Sequence, residues 1–324
     1  MLPLILCLLS TLALEPAAPR GYASTRPASE VRVERHEWTD AARDRRVPVK
    51  LYLPVTIDSP RPVVLLSHGL GGSREVSAFV GDHLASNGYV VVAMQHVGSD
   101  EAVWRGRGLR AMDDLRAAAN GQQYLARTQD VSFVLDHLRS LAHDDPTWKA
   151  RLDLDRVGIA GHSFGAHTTL AVAGVTFTAF GREQTYREKR IRAAVAYSPA
   201  PLENQRDRER AYASIGIPIL HMTGANDVAS IGNTRAEDRR VPFDLIGADD
   251  QYLVILEGGD HGVFSGLRWR NRDARNDRRH HALIEQFTLA FFDAHLMDDA
   301  RAEAWLEQGE AKRELGRDGT LEMK

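Results

Sequence analysis

A serine hydroxyl is a weak nucleophile until a neighbouring base removes its proton, so a reactive serine has to be recognised by its surroundings. The strongest such setting here is G-H-S-F-G, Gly161 to Gly165. It follows the apolar run R-V-G-I-A-G (156–161) and opens a helical pattern, the strand–turn–helix context of a nucleophile elbow. In that turn Ser163 sits on a sharp, strained bend, and Gly161 and Gly165 leave room where side chains would meet neighbouring backbone.

Such a serine needs a histidine base, and the histidine needs an orienting carboxylate, in the chain order Ser, Asp, His. T-G-A-N-D (223–227) places Asp227 just beyond the run I-P-I-L-H-M, and G-G-D-H-G (258–262) places His261 just beyond Q-Y-L-V-I-L-E. Both fall at a strand's carboxyl end, where open α/β sheets collect their ligands. The rivals are weaker. Asp260 is adjacent to His261 and points away from it in an extended loop, while Asp249 and Asp250 precede their strand and belong at its opposite end. His162 packs or hydrogen-bonds beside the serine without acting as base. His96 and His221 stand at strand ends, and His280 and His281 are neighbours on a helix facing different ways, unlike a metal-binding pair. Acyl transfer also needs donors for the oxyanion. These are expected from the backbone N–H of Phe164, next to the nucleophile, and of Leu70 in H-G-L-G-G-S (68–73).

The elements that must position these residues read as strands alternating with helices, which is the pattern of an α/β domain with a mostly parallel sheet flanked by helices. Runs 31–38 and 47–54 alternate apolar and polar residues around R-D-R-R and predict an antiparallel hairpin with one wet face. Runs 62–67, 89–94, 156–161, 193–198, 217–224 and 251–258 scarcely alternate and suit strands buried on both faces. Helical periodicity fills 75–86, 128–141, 165–173 and 279–296. The connections 95–127 and 176–190 are long enough for functional loops or a small lid, with Trp104 a candidate for the pocket wall. One domain over 24–297 is the economical division, followed by a charged helical tail over 298–324 that either packs through Trp305 and Leu306 or frays.

Hydrophobic content of 43%, charged content of 26% and a formal charge of -3 fit a globular enzyme-sized chain with a substantial core, and give no electrostatic footprint for nucleic acid. The opening run M-L-P-L-I-L-C-L-L-S-T-L-A-L is as long as the apolar core of an export signal and too short to span a bilayer. Residues 1–23 are therefore expected to be a signal peptide, with cleavage near Ala18 or Ala23 and a secreted or periplasmic product. Cys7, the only cysteine, lies inside that run, so neither a disulfide framework nor a cysteine nucleophile is available to the processed chain. No metal site is indicated.

At S-H-G-L-G-G-S-R-E (67–75), V-V-A-M-Q-H-V-G-S-D (91–100), G-I-A-G-H-S-F-G-A (158–166), H-M-T-G-A-N-D (221–227) and G-G-D-H-G-V-F-S-G (258–266) the chain resembles the dienelactone-hydrolase-like branch of the α/β-hydrolase fold, akin to platelet-activating-factor acetylhydrolases and bacterial polyester hydrolases. The resemblance runs from about Trp38 to Phe292. It implies a serine esterase with Asp and His partners, no cofactor, and small, short-chained or lipid esters as substrates. One departure is informative: dienelactone hydrolases proper carry cysteine where this chain has Ser163. Hydrolysis through an acyl-enzyme is expected, falling away as pH drops through about 6 to 7 because the base must be neutral. The same machinery would also serve a peptidase, and a catalytically silent binding protein could share the fold.

Overall fold

Six short runs of Val, Ile, Leu, Ala and Gly become the parallel centre of a sheet, because strands covered on both faces have no use for alternation. The computed structural model describes residues 21–324 apart from 25, 27, 180–181, 203–207 and 267–273. The expected signal segment up to residue 20 lies outside the described residues. The strands are β1 Val31–Asp40, β2 Arg45–Pro54, β3 Arg61–Ser67, β4 Val90–Met94, β5 Leu152–His162, β6 Thr176–Ala179, β7 Arg182–Thr185, β8 Ile191–Tyr197, β9 Ile219–Asn226, β10 Gln251–Asp260 and β11 Gly319–Met323. The helices are α1 Ala78–Ser86, α2 Ala111–Ala118, α3 Gly121–Asp144, α4 Pro146–Lys149, α5 Phe164–Ala173, α6 Arg208–Tyr212, α7 Val241–Leu245, α8 Ala274–Met297, α9 Ala300–Glu307 and α10 Glu310–Leu315.

Among the described residues nine strands form one sheet in the order β1-β2-β4-β3-β5-β8-β9-β10-β11. Pairs from β4 through β10 are parallel, and β1, β2 and β11 join antiparallel at the edges. Helices α1, α8, α9 and α10 bury Leu84, Phe287, Phe291, Trp305 and Leu315 against one face. Helices α3, α5 and α6 bury Val131, Leu138, Leu170 and Tyr212 against the other. This is the predicted α/β class, a mostly parallel sheet between helical layers. Among the described residues no helix is long and apolar enough to cross a membrane.

Three differences from the sequence reading have physical causes. The first hairpin is wet only along β1. Val47 to Pro54 of β2 are buried throughout, because β2 also pairs with β4 inside the sheet. The segment after Met297 is more than a helical tail: α9 and α10 bury Trp305 and Leu306, and β11 then closes the sheet edge against β10. The 176–190 connection holds the β6–β7 hairpin, which pairs outside the main sheet.

The two cleavage positions expected for the leader, near Ala18 and Ala23, would have different structural consequences. Tyr22 is 9% exposed, its ring lies 5.6 Å from that of Trp305, and its hydroxyl donates to Asp293 Oδ2 at 2.7 Å. Asp293 is fully buried and also receives Tyr89 and Arg26, so two of these three donors come from the N-terminal segment. A cut after Ala23 would strip one of those donors and uncover Trp305, whereas a cut after Ala18 would leave both intact. A chain starting at Ser24 is expected to lose roughly 1–3 kcal/mol relative to one starting at Pro19, from lost burial of the Tyr22 ring and loss of one of the donors to Asp293. Thermal denaturation of the two truncated chains compared side by side checks this, and equal midpoints would overturn it.

Candidate active site

The β5–α5 turn carries Ser163. Ser163 has φ 55° and ψ −113°, a left-handed strained backbone that an L-residue adopts only when its neighbours impose it. The neighbours do so by close approach. A Cβ on Gly161 would sit 2.2 Å from the Gly165 carbonyl oxygen, and one on Gly165 would sit 1.9 Å from that of Ser67. The bend turns the Ser163 hydroxyl to His261, whose Nε2 lies 3.0 Å from Oγ.

His261 follows β10 directly, and Asp227 follows β9; the two strands are parallel neighbours, so both side chains emerge at one sheet end. His261 Nδ1 lies 2.7 Å from Asp227 Oδ1, and the other carboxylate oxygen accepts from Thr223 Oγ1 at 2.8 Å. Asp227 is fully buried. Burial alone would raise its carboxyl, but the hydrogen bond from His261 and the charge of Arg239 outweigh it and hold the group at about 2. An anionic Asp227 makes Nδ1 the protonated ring nitrogen and leaves the Nε2 lone pair facing Ser163.

Arg239 was invisible in the sequence. It sits on a short 3-10 turn, Ala236–Arg240, with 2% exposure. Its Nη1 donates to Ser198 O at 2.8 Å, its Nε lies 3.3 Å from Asp227 Oδ1, and its Nη2 lies 3.2 Å from His261 Nδ1. Because Nδ1 already gives its proton to Asp227, the last contact is a charge beside the ring and not a shared hydrogen. Nothing in E-D-R-R-V-P marks this arginine, since its partners come from three distant loops.

His162 has the supporting place expected of it. Its Nε2–H donates to the His261 carbonyl at 2.8 Å and its ring lies 4.7 Å from that of His261, while burial keeps its imidazole neutral. Asp260 accepts from the amides of Gly262 and Val263 and so caps the turn that carries His261. Asp249 and Asp250 precede β10, at the far end of the sheet. His221 is buried within β9 beside Phe243, and His280 and His281 bond the carbonyls of Glu257 and Val263. His96 belongs to a separate buried network with Ser67 and Asp130.

The loop after β3 lies against the elbow. A Cβ on Gly69 would come 3.4 Å from Ser163 Cβ and 3.2 Å from His162 Nδ1. The loop is strapped by Gly71 N–H to Ser99 O at 2.9 Å and by Trp104 Nε1–H to Gly71 O at 2.7 Å. Trp104 therefore anchors this loop instead of standing free as a pocket wall. Among the described residues neither Leu70 nor Phe164 donates its backbone N–H to another protein group.

Comparison with known proteins bears on this arrangement. Residues 38–107, which include the H-G-L-G-G loop, match the family described as platelet-activating factor acetylhydrolase, isoform II. Platelet-activating factor acetylhydrolases of Cavia porcellus, Canis lupus familiaris and Bos taurus are 28%, 25% and 27% identical to it over 39%, 38% and 34% of the chain. The chain is similar to the platelet-activating factor acetylhydrolases. The resemblance expected from the motifs is borne out in that branch, whose α/β-hydrolase fold agrees with the sheet described above. The matched stretch spans 34%, 34% and 31% of the three relatives' own lengths, so about a third of each is represented. The family match stops before Ser163, so the elbow and the two later loops rest on their own geometry.

Proposed function

We propose that this protein is a serine esterase that hydrolyses carboxylic esters of lipid or short-acyl type through an acyl-enzyme. The observation that carries the proposal is the unbroken contact chain Ser163–His261–Asp227, at 3.0 and 2.7 Å, and the Leu70 and Phe164 amides, which donate to no other described group, support it. His261 Nε2 takes the Ser163 proton as Oγ attacks the ester carbonyl carbon, and the amides of Leu70 and Phe164 hold the oxyanion. The C–O bond to the alcohol then breaks, with the His261 proton passing to the leaving oxygen. Water repeats the sequence on the acyl-enzyme, releasing the acid and restoring Ser163. The relatives' name, acetylhydrolase, supports a preference for short acyl groups.

Hydrolysis of p-nitrophenyl acetate, butyrate, octanoate and palmitate by the purified protein tests this, together with fluorophosphonate labelling and peptide mapping. Acetate and butyrate are expected to turn over fastest, with the label on Ser163. A label on another residue, or no label and no turnover, would sink the proposal. Turnover of aminoacyl nitroanilides with inert esters would move the activity to peptides.

Arg239 provides a further check. Its guanidinium lies 3.3 Å from Asp227 Oδ1 and helps to hold that carboxyl anionic, so Arg239→Met is expected to lower kcat/KM by about tenfold with KM little changed. A folded Arg239→Met variant with wild-type kcat/KM would reduce Arg239 to a packing role.

A further inference from the structure

Beneath the loop that carries Leu70 lies a second serine–histidine–aspartate relay. Ser67 Oγ is 3.0 Å from His96 Nε2, and His96 Nδ1 is 2.9 Å from Asp130 Oδ2. The distances match those around Ser163, but Ser67 is 3% exposed and the other two side chains not at all. Substrate has no route to Ser67, so this is not a second hydrolytic centre.

The direction of each hydrogen bond follows from charge. Arg45 grips Asp130 with two prongs, Nε to Oδ1 at 2.7 Å and Nη2 to Oδ2 at 2.8 Å. Burial pushes the Asp130 carboxyl up, yet Arg45 and His96 hold it at about 2. Burial and the charge of Arg127 bring His96 down to about 4, so its ring is neutral. His96 Nδ1–H therefore donates to Asp130, and Nε2 accepts the Ser67 hydroxyl proton. The free side of Ser67 Oγ then faces Arg127 Nη2, 3.3 Å away.

Arg127, from α3, is the largest fully buried side chain among the described residues, and none of the ion pairs there includes it within 4 Å of a carboxylate. Its donors instead reach Thr168 Oγ1 on α5 at 3.0 Å, Ser99 Oγ after β4 at 2.9 Å, and the His68 carbonyl after β3. Its plane lies 4.7 Å from the centre of the Phe164 ring. Burying an unpaired cation costs several kcal/mol, and neutral acceptors offset that only if nearly all its N–H groups are used. Such a residue holds its surroundings in one geometry. Those surroundings are the His68 carbonyl, two residues before Leu70, and the ring of Phe164, the residue after Ser163.

We propose that Arg127, oriented by the Ser67–His96–Asp130 relay, is the positioning residue of the oxyanion hole. It ties the backbone at His68 to α5 and to the ring of Phe164, so that the Leu70 and Phe164 amides converge before substrate arrives. The inference rests on the esterase reading above. A hole set in place this way contributes to binding the transition state and little to binding the ester, which separates positioning from general stability.

The test compares wild type with Arg127→Met, Ser67→Ala and Thr168→Val, measuring kcat and KM for p-nitrophenyl butyrate and inhibition by a trifluoromethyl ketone. The ketone adds Ser163 to its carbonyl and so presents the oxyanion. Arg127→Met is expected to lose about 10²–10³ in kcat and Ser67→Ala about tenfold, with KM within threefold and ketone affinity falling in parallel with kcat. If Arg127→Met does not fold, the two single-group variants decide. Folded Ser67→Ala and Thr168→Val with wild-type kcat and ketone affinity would overturn the proposal, as would losses confined to KM. Wild type that neither hydrolyses esters nor accepts a fluorophosphonate would overturn the esterase reading instead, and it would do so before any variant is compared.

Discussion

Ser163→Ala should lower kcat for a p-nitrophenyl ester by about four to six powers of ten while leaving KM within a few-fold, because only the attacking atom is removed. The residual rate would come from the oxyanion donors and substrate binding. Its thermal midpoint should barely change, since alanine takes the same strained backbone and only one hydroxyl contact to His261 is lost. Asp227→Asn separates the two effects. It should cost about 10⁴ in kcat by turning the His261 ring to the wrong tautomer, and it should also destabilise the fold. The second loss arises because Arg239, 2% exposed, then faces a neutral amide where it had a carboxylate at 3.3 Å. Breaking such a buried pair by removing one partner typically costs about 3–5 kcal/mol. Steady-state kinetics and denaturant titration of the two variants give both numbers. Equal activity of Ser163→Ala and wild type would end the nucleophile assignment.

The largest expected effect on stability is at the glycines of the elbow and of the β9–β10 contact. In Gly165→Ala the new Cβ meets the Ser67 carbonyl oxygen at 1.9 Å and its carbon at 2.7 Å, and in Gly224→Ala it meets the Gly259 oxygen at 2.1 Å. These obstacles are backbone atoms. Ser67 ends β3 in the middle of the sheet, and α5 is packed between β5 and the helical layer, so neither side can move without breaking ladder bonds. A loss above about 4 kcal/mol is expected for each, in the range reserved for severe overpacking, with little folded protein recovered. Gly121→Ala is the contrast. Nothing lies within 4 Å of its new Cβ, and it opens α3 without a left-handed backbone, so it should be neutral or stabilise by about 0.5–1 kcal/mol. A cooperative unfolding transition for Gly165→Ala within 1 kcal/mol of wild type would contradict the steric account of the elbow.

The positions that could be read from the chain are those where one local pattern carries the information. G-H-S-F-G is contiguous, and Gly161 is required by approaches within a single strand–turn–helix unit, whereas Gly165 is required by the backbone of Ser67 and His68 at the end of β3. Asp227 and His261 were legible because each ends an apolar run, and a parallel sheet places all such ends on one side. The unalternating runs announced the buried centre of the sheet for the same reason. By contrast, β2 looked half wet because its alternation gives no sign that β4 would pair on its other side. The strand β11 was hidden in a charged stretch, since an edge strand closing onto β10 needs few apolar residues.

Of the candidate site itself, the sequence determined which groups can do the chemistry: a serine on a strained turn, a histidine and a carboxylate in the right order, and a glycine-rich loop to face them. Tertiary structure alone decided what surrounds those groups. Arg239 reaches Asp227 across 12 positions and His261 across 22, and Arg127 reaches Ser67 across 60. Arginines are common and mostly solvated, so neither has a local signature. Each takes its meaning from being folded out of water among acceptors that come from separate strands, where a fixed charge is unscreened and its position is set by every hydrogen bond it makes.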